Sequence, residues 1–330
     1  MDKKPETIDR PKEYFESKMP PTSGNAVNGQ GEPTQRRPSP FFWHKPSLHE
    51  FGELQHAVTE YQQRSPAIRS VFTPTADRGP KPIQQSELTE QNKQRSPEQW
   101  HDILESFALA NESDLFGVAK LDPLWVYEGF EINEPWIVMI GVAMEHDKLS
   151  QVPPTFDNPV SAVEVGDKYN KAARACRKLT NYILSQGYQA KAYQGPYASA
   201  LNMIPAALAA GFGELGKHGS IINRHYGSNF RLSAVSTNMP LRGDVVDTFG
   251  ADDFCIKCQV CRNACPPDAI HDKKMLVRGD KKWYVDFDKC IPFFGEALGC
   301  AACIASCPWS TPGRAPKLAE KWSLRKRTTD

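Results

Sequence analysis

Hydrophobic positions change character near residue 96. Before it, apolar residues are scattered and no regular period persists; after it, periodic segments follow one another. Ser96-Pro97-Glu98 has the form of a helix start: a capping hydroxyl, a proline in the first turn and an acid at the positive end of the helix dipole. That helix is expected to reach Ala110. Residues 116–121 read as a strand, and 136–144 form an unbroken apolar run of strand length, the pattern of a fully buried strand. Tyr169, Ala172, Cys176, Leu179 and Ile183 recur at three- and four-residue spacing and predict a helix over 165–186. Gly187-Tyr188 ends it. A short strand over 189–193, a helix over 204–211 and a strand over 232–237 follow. Helices alternating with strands indicate a layered fold of the mixed α/β (α+β) class.

The first 95 residues are expected to be a Pro-rich, mostly irregular arm with short helices near 50–62. Of the 27 prolines, 13 fall in residues 1–100, among many Gln, Ser and Thr. Phe41-Phe42-Trp43 is too aromatic for a solvated tail, so the arm should wrap over the main domain.

Charge and length narrow the classes. The 330 residues carry 40 basic and 39 acidic side chains, a net +1, which argues against a dedicated binder of nucleic-acid backbone. No apolar run approaches the roughly 18 residues of a membrane span. Arg36-Arg37 is not followed by the apolar stretch of an export signal, so a cytoplasmic protein is expected.

Cysteine placement points to chemistry. Eight of the nine cysteines lie between Cys255 and Cys307; Cys176 stands apart on an apolar helical face and reads as a core thiol. Cys255-x2-Cys258-x2-Cys261-x3-Cys265-Pro266 is the bacterial ferredoxin run. Three thiolates at that spacing let one loop wrap three corners of an iron–sulfur cube, while the fourth turns to a second cube. A second motif, Cys290-x9-Cys300-x2-Cys303-x3-Cys307-Pro308, has a widened first interval. By ferredoxin logic one [4Fe-4S] cluster uses Cys255, Cys258, Cys261 and Cys307, and the other uses Cys290, Cys300, Cys303 and Cys265. Paired zinc sites would not need the doubled C-x3-C-P.

Gly211-Phe212-Gly213-Glu214-Leu215-Gly216 matches G-x-G-x-x-G but follows an expected helix rather than a strand, the wrong context for a dinucleotide. These glycines read instead as a place where backbone approaches something large and flat, or as a helix end.

This segment through Lys217-His218-Gly219, with Tyr226-Gly227-Ser228-Asn229-Phe230-Arg231 and Thr237-Asn238-Met239-Pro240-Leu241, resembles the corrinoid-dependent reductive dehalogenases. More distantly it is similar to epoxyqueuosine reductase. Cys307-Pro308-Trp309-Ser310 looks most like the cytoplasmic, non-respiratory dehalogenase branch. The resemblance spans about residues 100–312. It implies a nitroreductase-like cobalamin-binding core over 96–250, a ferredoxin-like domain over 251–312 and a basic tail over 313–330. It implies cobalamin besides the two clusters, and electrons passing from cluster to cluster to cobalt. Carried over residue by residue, the proton-donating Tyr is Tyr169 and its assisting cation is Arg231. A phenol is a weak acid at neutral pH unless a cation stabilises its phenolate. Gly211, Gly213, Gly216, Lys217, His218 and Tyr226 are the cofactor-binding candidates.

The match has departures. Tyr193-Gln194-Gly195-Pro196-Tyr197 holds no Asp where epoxyqueuosine reductase has its catalytic one, and the dehalogenase amide is unassigned, with Gln194 or Asn202 as replacements. Besides removal of halide from a halogenated, aromatic compound, tRNA modification and electron transfer without a substrate remain as alternatives. Electrons would come from a separate ferredoxin, flavodoxin or flavin reductase, and a homodimer is compatible with the sequence. Residues 313–330 hold six basic and two acidic side chains, which suits a solvated face or a docking patch for an acidic donor, with tRNA as a third choice.

Overall fold

The structure is a computed structural model and describes residues 11–72, 86–90, 92–197 and 199–327. Residues 1–10, 73–85 and 91 of the expected arm, and 328–330 of the tail, lie outside the described residues.

Four strands form the central sheet, in the spatial order Leu115–Lys120, Trp136–Ala143, Phe230–Thr237, Ala190–Gln194. All neighbours are antiparallel, with Met139 opposite both Gly117 and Ala234. The mixed helix–sheet class read from the sequence is present, but the helices do not act as crossovers between parallel strands. The long apolar run is explained by burial on both faces. Val138 and Ile140 point to one face, into a core with Trp100, Leu104, Cys176, Leu179 and Ile183 from the helices Pro97–Ala110 and Val160–Ser185. Ile137 and Met139 point to the other face, against Ala206, Ala207 and Phe212 at the helix Met203–Ala209. Gly117 permits that packing, because a Cβ there would stand 2.2 Å from the Ala210 carbonyl oxygen.

Helix Pro97–Ala110 begins at a complete capping box, in which the Ser96 hydroxyl accepts the Gln99 N–H and Gln99 returns to the Ser96 N–H. Such a cap contributes about 1 kcal/mol. Val160–Ser185 starts five residues before the expected Val165. Cys176 is fully buried in the sheet core.

The arm is more ordered than its composition suggests. Helices Gly52–Gln63 and Pro66–Val71 bury Leu54, Val58, Tyr61 and Ile68 with Phe15, Phe41 and Phe51. Phe287, Ile291 and Phe294 of helix Phe287–Glu296 complete this core, so it joins the start of the chain to the cysteine-rich region. Polar hooks reinforce the junction: Gly24 N–H donates to Asp288 at 2.8 Å and the Asn25 amide to Asp286 at 2.8 Å. Arg36 and Arg37 are fastened into this fold. Arg36 pairs with Glu32 at 2.7 Å, and Arg37 donates to the carbonyls of Val126, Tyr127 and Phe130.

The basic tail is a helix, Arg314–Arg327, that buries Ala315 and Ala319 beside Phe249 and Trp309 and sets Trp322 edge-on to Phe254 at 5.9 Å. No helix among the described residues is long and apolar enough to cross a membrane.

Candidate functional site

Local folding gathers the eight clustered cysteines. Helix Ala251–Lys257 carries Cys255, and its entry is held by Glu214, whose carboxylate accepts the N–H groups of Phe249 and Ala251 at 2.8 Å each. The Ala251 N–H is one of the donors that a helix start leaves without partners. Gly227 lets the following sheet strand reach the last cysteine. It adopts φ +58°, and a Cβ there would stand 2.2 Å from the Trp309 carbonyl oxygen. Ser228 N–H then donates to the Ser310 hydroxyl at 3.3 Å.

The thiols fall into two sets by which ones oppose each other's ionisation. Cys307, Cys261 and Cys258 act on Cys255, and Cys307 and Cys258 on Cys261. In the second set Cys265 and Cys300 act on Cys290, and Cys290, Cys300 and Cys265 on Cys303. Cys261 also acts on Cys303, so the sets approach each other there. Burial dominates in each case. It pushes Cys255, Cys261 and Cys290 up to about 12 and Cys307 to about 11, and raises Cys300 and Cys303. Thiols grouped in this way are poor neighbours as thiolates and suit iron, which supplies the missing positive charge.

A cavity of about 290 Å³ adjoins the second set alone. Cys265, Cys290, Cys300 and Cys303 line one wall. Thr59, Gln62 and Phe72 from the arm form another, and Tyr169 and Arg231 face in from the sheet domain. Tyr169 comes from helix Val160–Ser185 and packs against Gly195, where a Cβ would stand 2.5 Å from its Cε1. Arg231, near the start of strand Phe230–Thr237, places its guanidinium carbon 5.4 Å from the Tyr169 ring centroid. Its buried Nε has no hydrogen-bond partner among the described residues. Trp43 and Tyr197 meet edge-to-face at 6.2 Å on the same lining, with Tyr197 exposed. Trp43 is held at φ +73° with its N–H donated to the Gln55 amide oxygen at 2.6 Å. Gln63 adds a polar group, and the rest of the lining is mainly apolar. One cation, two phenols and four cysteines thus meet on one cavity.

Residues 254–311 match the 4Fe-4S dicluster domain. The chain is 31% identical over 212 residues to the tetrachloroethene reductive dehalogenase of Desulfitobacterium hafniense, covering 60% of this chain and 37% of that protein. The tetrachloroethene enzyme of Sulfurospirillum multivorans is 28% identical over 246 residues, 60% of this chain and 48% of that protein. The epoxyqueuosine reductase of Leadbetterella byssophila is a more distant relative, 30% identical over 125 residues, 33% of this chain and 37% of that one. The fold is that of the solved catabolic reductive dehalogenase NpRdhA in complex with 3-bromo-4-hydroxybenzoic acid, with a TM-score of 0.69 at 18% identity over 84% of this chain and 43% of that one. The chain thus spans 37% to 48% of the tetrachloroethene reductive dehalogenases it matches.

The expected site residues separate into two groups. Tyr169 and Arg231 come together at the cavity. Gly211, Gly213, Gly216, Lys217, His218 and Tyr226 do not line it. The glycines serve close approaches within the protein: a Cβ on Gly211 would stand 2.8 Å from the Val245 carbonyl oxygen, and one on Gly213 2.0 Å from that of Ile222. Gly216 abuts His218 and Ile222. His218 is buried and pushed down to about 4 by desolvation, so it is neutral. It accepts the Ser220 N–H on Nδ1 at 3.2 Å and therefore donates from Nε2 to Ser228 Oγ at 3.1 Å. Tyr226 packs among the apolar residues on the helix Met203–Ala209 side of the sheet. Lys217 turns to the first thiol set, its N–H 3.5 Å from Cys255 Sγ. Gln194 and Asn202 are likewise absent from the cavity lining. Sequence reasoning missed Thr59, Gln62 and Phe72, and noticed Trp43 only as part of an aromatic run.

Proposed function

We propose that the chain reductively removes halide from an organohalide, most favourably an aromatic one, using two [4Fe-4S] clusters and a corrinoid held in the cavity. The observation that carries this reading is the convergence of Tyr169 and Arg231 on the one cavity that the second thiol set also lines. Overall, the carbon–halogen bond takes two electrons and one proton, a carbon–hydrogen bond forms and halide leaves.

Cys255, Cys258, Cys261 and Cys307 would hold the entry cluster, and Cys265, Cys290, Cys300 and Cys303 the cluster beside the cavity. The corrinoid, when bound, supplies low-valent cobalt for breaking the carbon–halogen bond. The orphaned Arg231 Nε and the apolar walls beside the second thiol set support its placement there. Tyr169 Oη holds the proton delivered to carbon. Arg231 supports the developing phenolate, and its charge also favours the departing halide. Phe72, Phe293 and Trp43 exclude water, which would otherwise solvate both charges. An external ferredoxin, flavodoxin or flavin reductase would provide electrons.

The test is metal content after anaerobic purification with cobalamin, followed by halide release from a bromophenol under a strong reductant. About eight iron and one cobalt per chain, with bromide released, is expected. Eight iron without retained cobalt or bromide release would overturn the assignment in favour of simple electron transfer.

A further inference from the structure

Lys217 carries a charge that the cavity does not use. Its side chain is 0% exposed and its Nζ has no hydrogen-bond partner among the described residues. A buried ammonium is costly unless something compensates it. Two neighbours do so in part. Asp272 Oδ1 lies 3.7 Å away on a side chain that is itself half exposed, and the Trp283 ring lies 5.1 Å away. Trp283 is shared, since Lys274 approaches the same ring at 5.5 Å. Compensation by protein groups is therefore thin. One further contact places the residue: its backbone N–H is directed at Cys255 Sγ at 3.5 Å, which sets Lys217 directly against the first thiol set.

We propose that Lys217 sets the reduction potential of the cluster held by Cys255, Cys258, Cys261 and Cys307. The proposal rests on the reading of those thiols as cluster ligands. Reduction adds one negative charge to the cluster. A fixed cation in a poorly solvated site stabilises that added charge, and an N–H directed at a ligand sulfur acts in the same sense. The entry cluster consequently accepts an electron from a donor of less negative potential than it otherwise could. Lys217 is thus an electrostatic tuning residue. It touches neither the cavity nor the second thiol set.

The experiment is a redox titration of the full iron-loaded chain followed by electron paramagnetic resonance. Lys217→Met should make reduction of one couple at least tenfold less favourable, about 59 mV more negative for one electron, while the other couple stays in place. Lys217→Arg should restore it. Asp272→Asn, which removes the partly compensating carboxylate, should move the same couple in the positive direction. An iron-loaded Lys217→Met at the unaltered potential overturns the proposal, as does an equal movement of both couples. If Lys217→Met does not hold iron, Asp272→Asn decides alone, and absence of a positive shift overturns the proposal. None of these readings depends on halide release, so failure of the dehalogenase reading would be seen separately.

Discussion

The guanidinium of Arg231 lies over the face of the Tyr169 ring, 5.4 Å from its centroid, and both line the cavity bounded by the second thiol set. If the proposed proton transfer is made at Tyr169, both residues should matter to it. Tyr169→Phe keeps the ring against Gly195 and removes the proton. Its halide release should fall by about 10²- to 10⁴-fold with iron content unchanged. Arg231→Met should cause a loss of similar order, and Arg231→Lys a smaller one. Unchanged turnover in Tyr169→Phe would return Tyr169 to the role of a packing residue.

The two thiol sets should lose iron independently. Cys258 belongs to the first set and Cys303 to the second, with Cys303 lining the cavity. Cys258→Ala and Cys303→Ala are each expected to lower bound iron from about eight to about four per chain. Only the second should disturb ligand binding in the cavity. Iron analysis with absorption spectroscopy on the anaerobic proteins checks this. Complete loss in both variants would mean that the sets fold as one unit.

Burial of His218 gives a pH dependence of known sign. Its folded-state value is about 4, against an ordinary 6.5. Between these pH values the unfolded chain binds more protons than the folded one. Stability is therefore fully present above pH 6.5 and declines as pH falls toward 4, by an amount on the order of 3 kcal/mol. His218→Gln cannot take up that proton, so its thermal midpoint should drop less between pH 7 and pH 5 than that of the unaltered protein. Equal drops would show that other groups govern acid stability.

Gly213 is the sharpest backbone constraint in the glycine segment. With φ +127° and a Cβ that would stand 2.0 Å from the Ile222 carbonyl oxygen, Gly213→Ala must displace backbone. Several kcal/mol of destabilisation is expected, on the order of the strained and overpacked substitutions that unfold marginal domains. Gly31→Ala offers a control, since its Cβ would meet nothing within 4 Å although φ is +86°. Soluble yield and thermal midpoint distinguish the two.

These predictions draw unequally on what was legible before folding. The iron–sulfur domain over 254–311 was readable because its cysteine spacing is a local signal, and Ser96 was readable because capping is local. The glycine segment was legible only in part, because spacing reports that backbone must approach something closely, but not what. Gly211 approaches Val245 and Gly213 approaches Ile222. The wall formed by Thr59, Gln62 and Phe72 was hidden by proline-rich composition. Its helices are stabilised by distant partners, Phe287, Ile291 and Phe294, that no local window contains. Strand order was equally non-local, since alternation of helices and strands does not state which strands become neighbours.

The junction between the arm and the helix Phe287–Glu296 has a consequence for the order of events in synthesis. Thr59 and Gln62 are made long before Cys290 and Cys303, yet all four border one cavity. Contacts this distant in sequence form late, because the closure entropy of the intervening chain must be met first. The cavity cannot be completed while the cysteine-rich region is still in the ribosome. A group held by Cys290 and Cys303 together with Thr59 and Gln62 can therefore be seated only after the cysteine-rich region has been made.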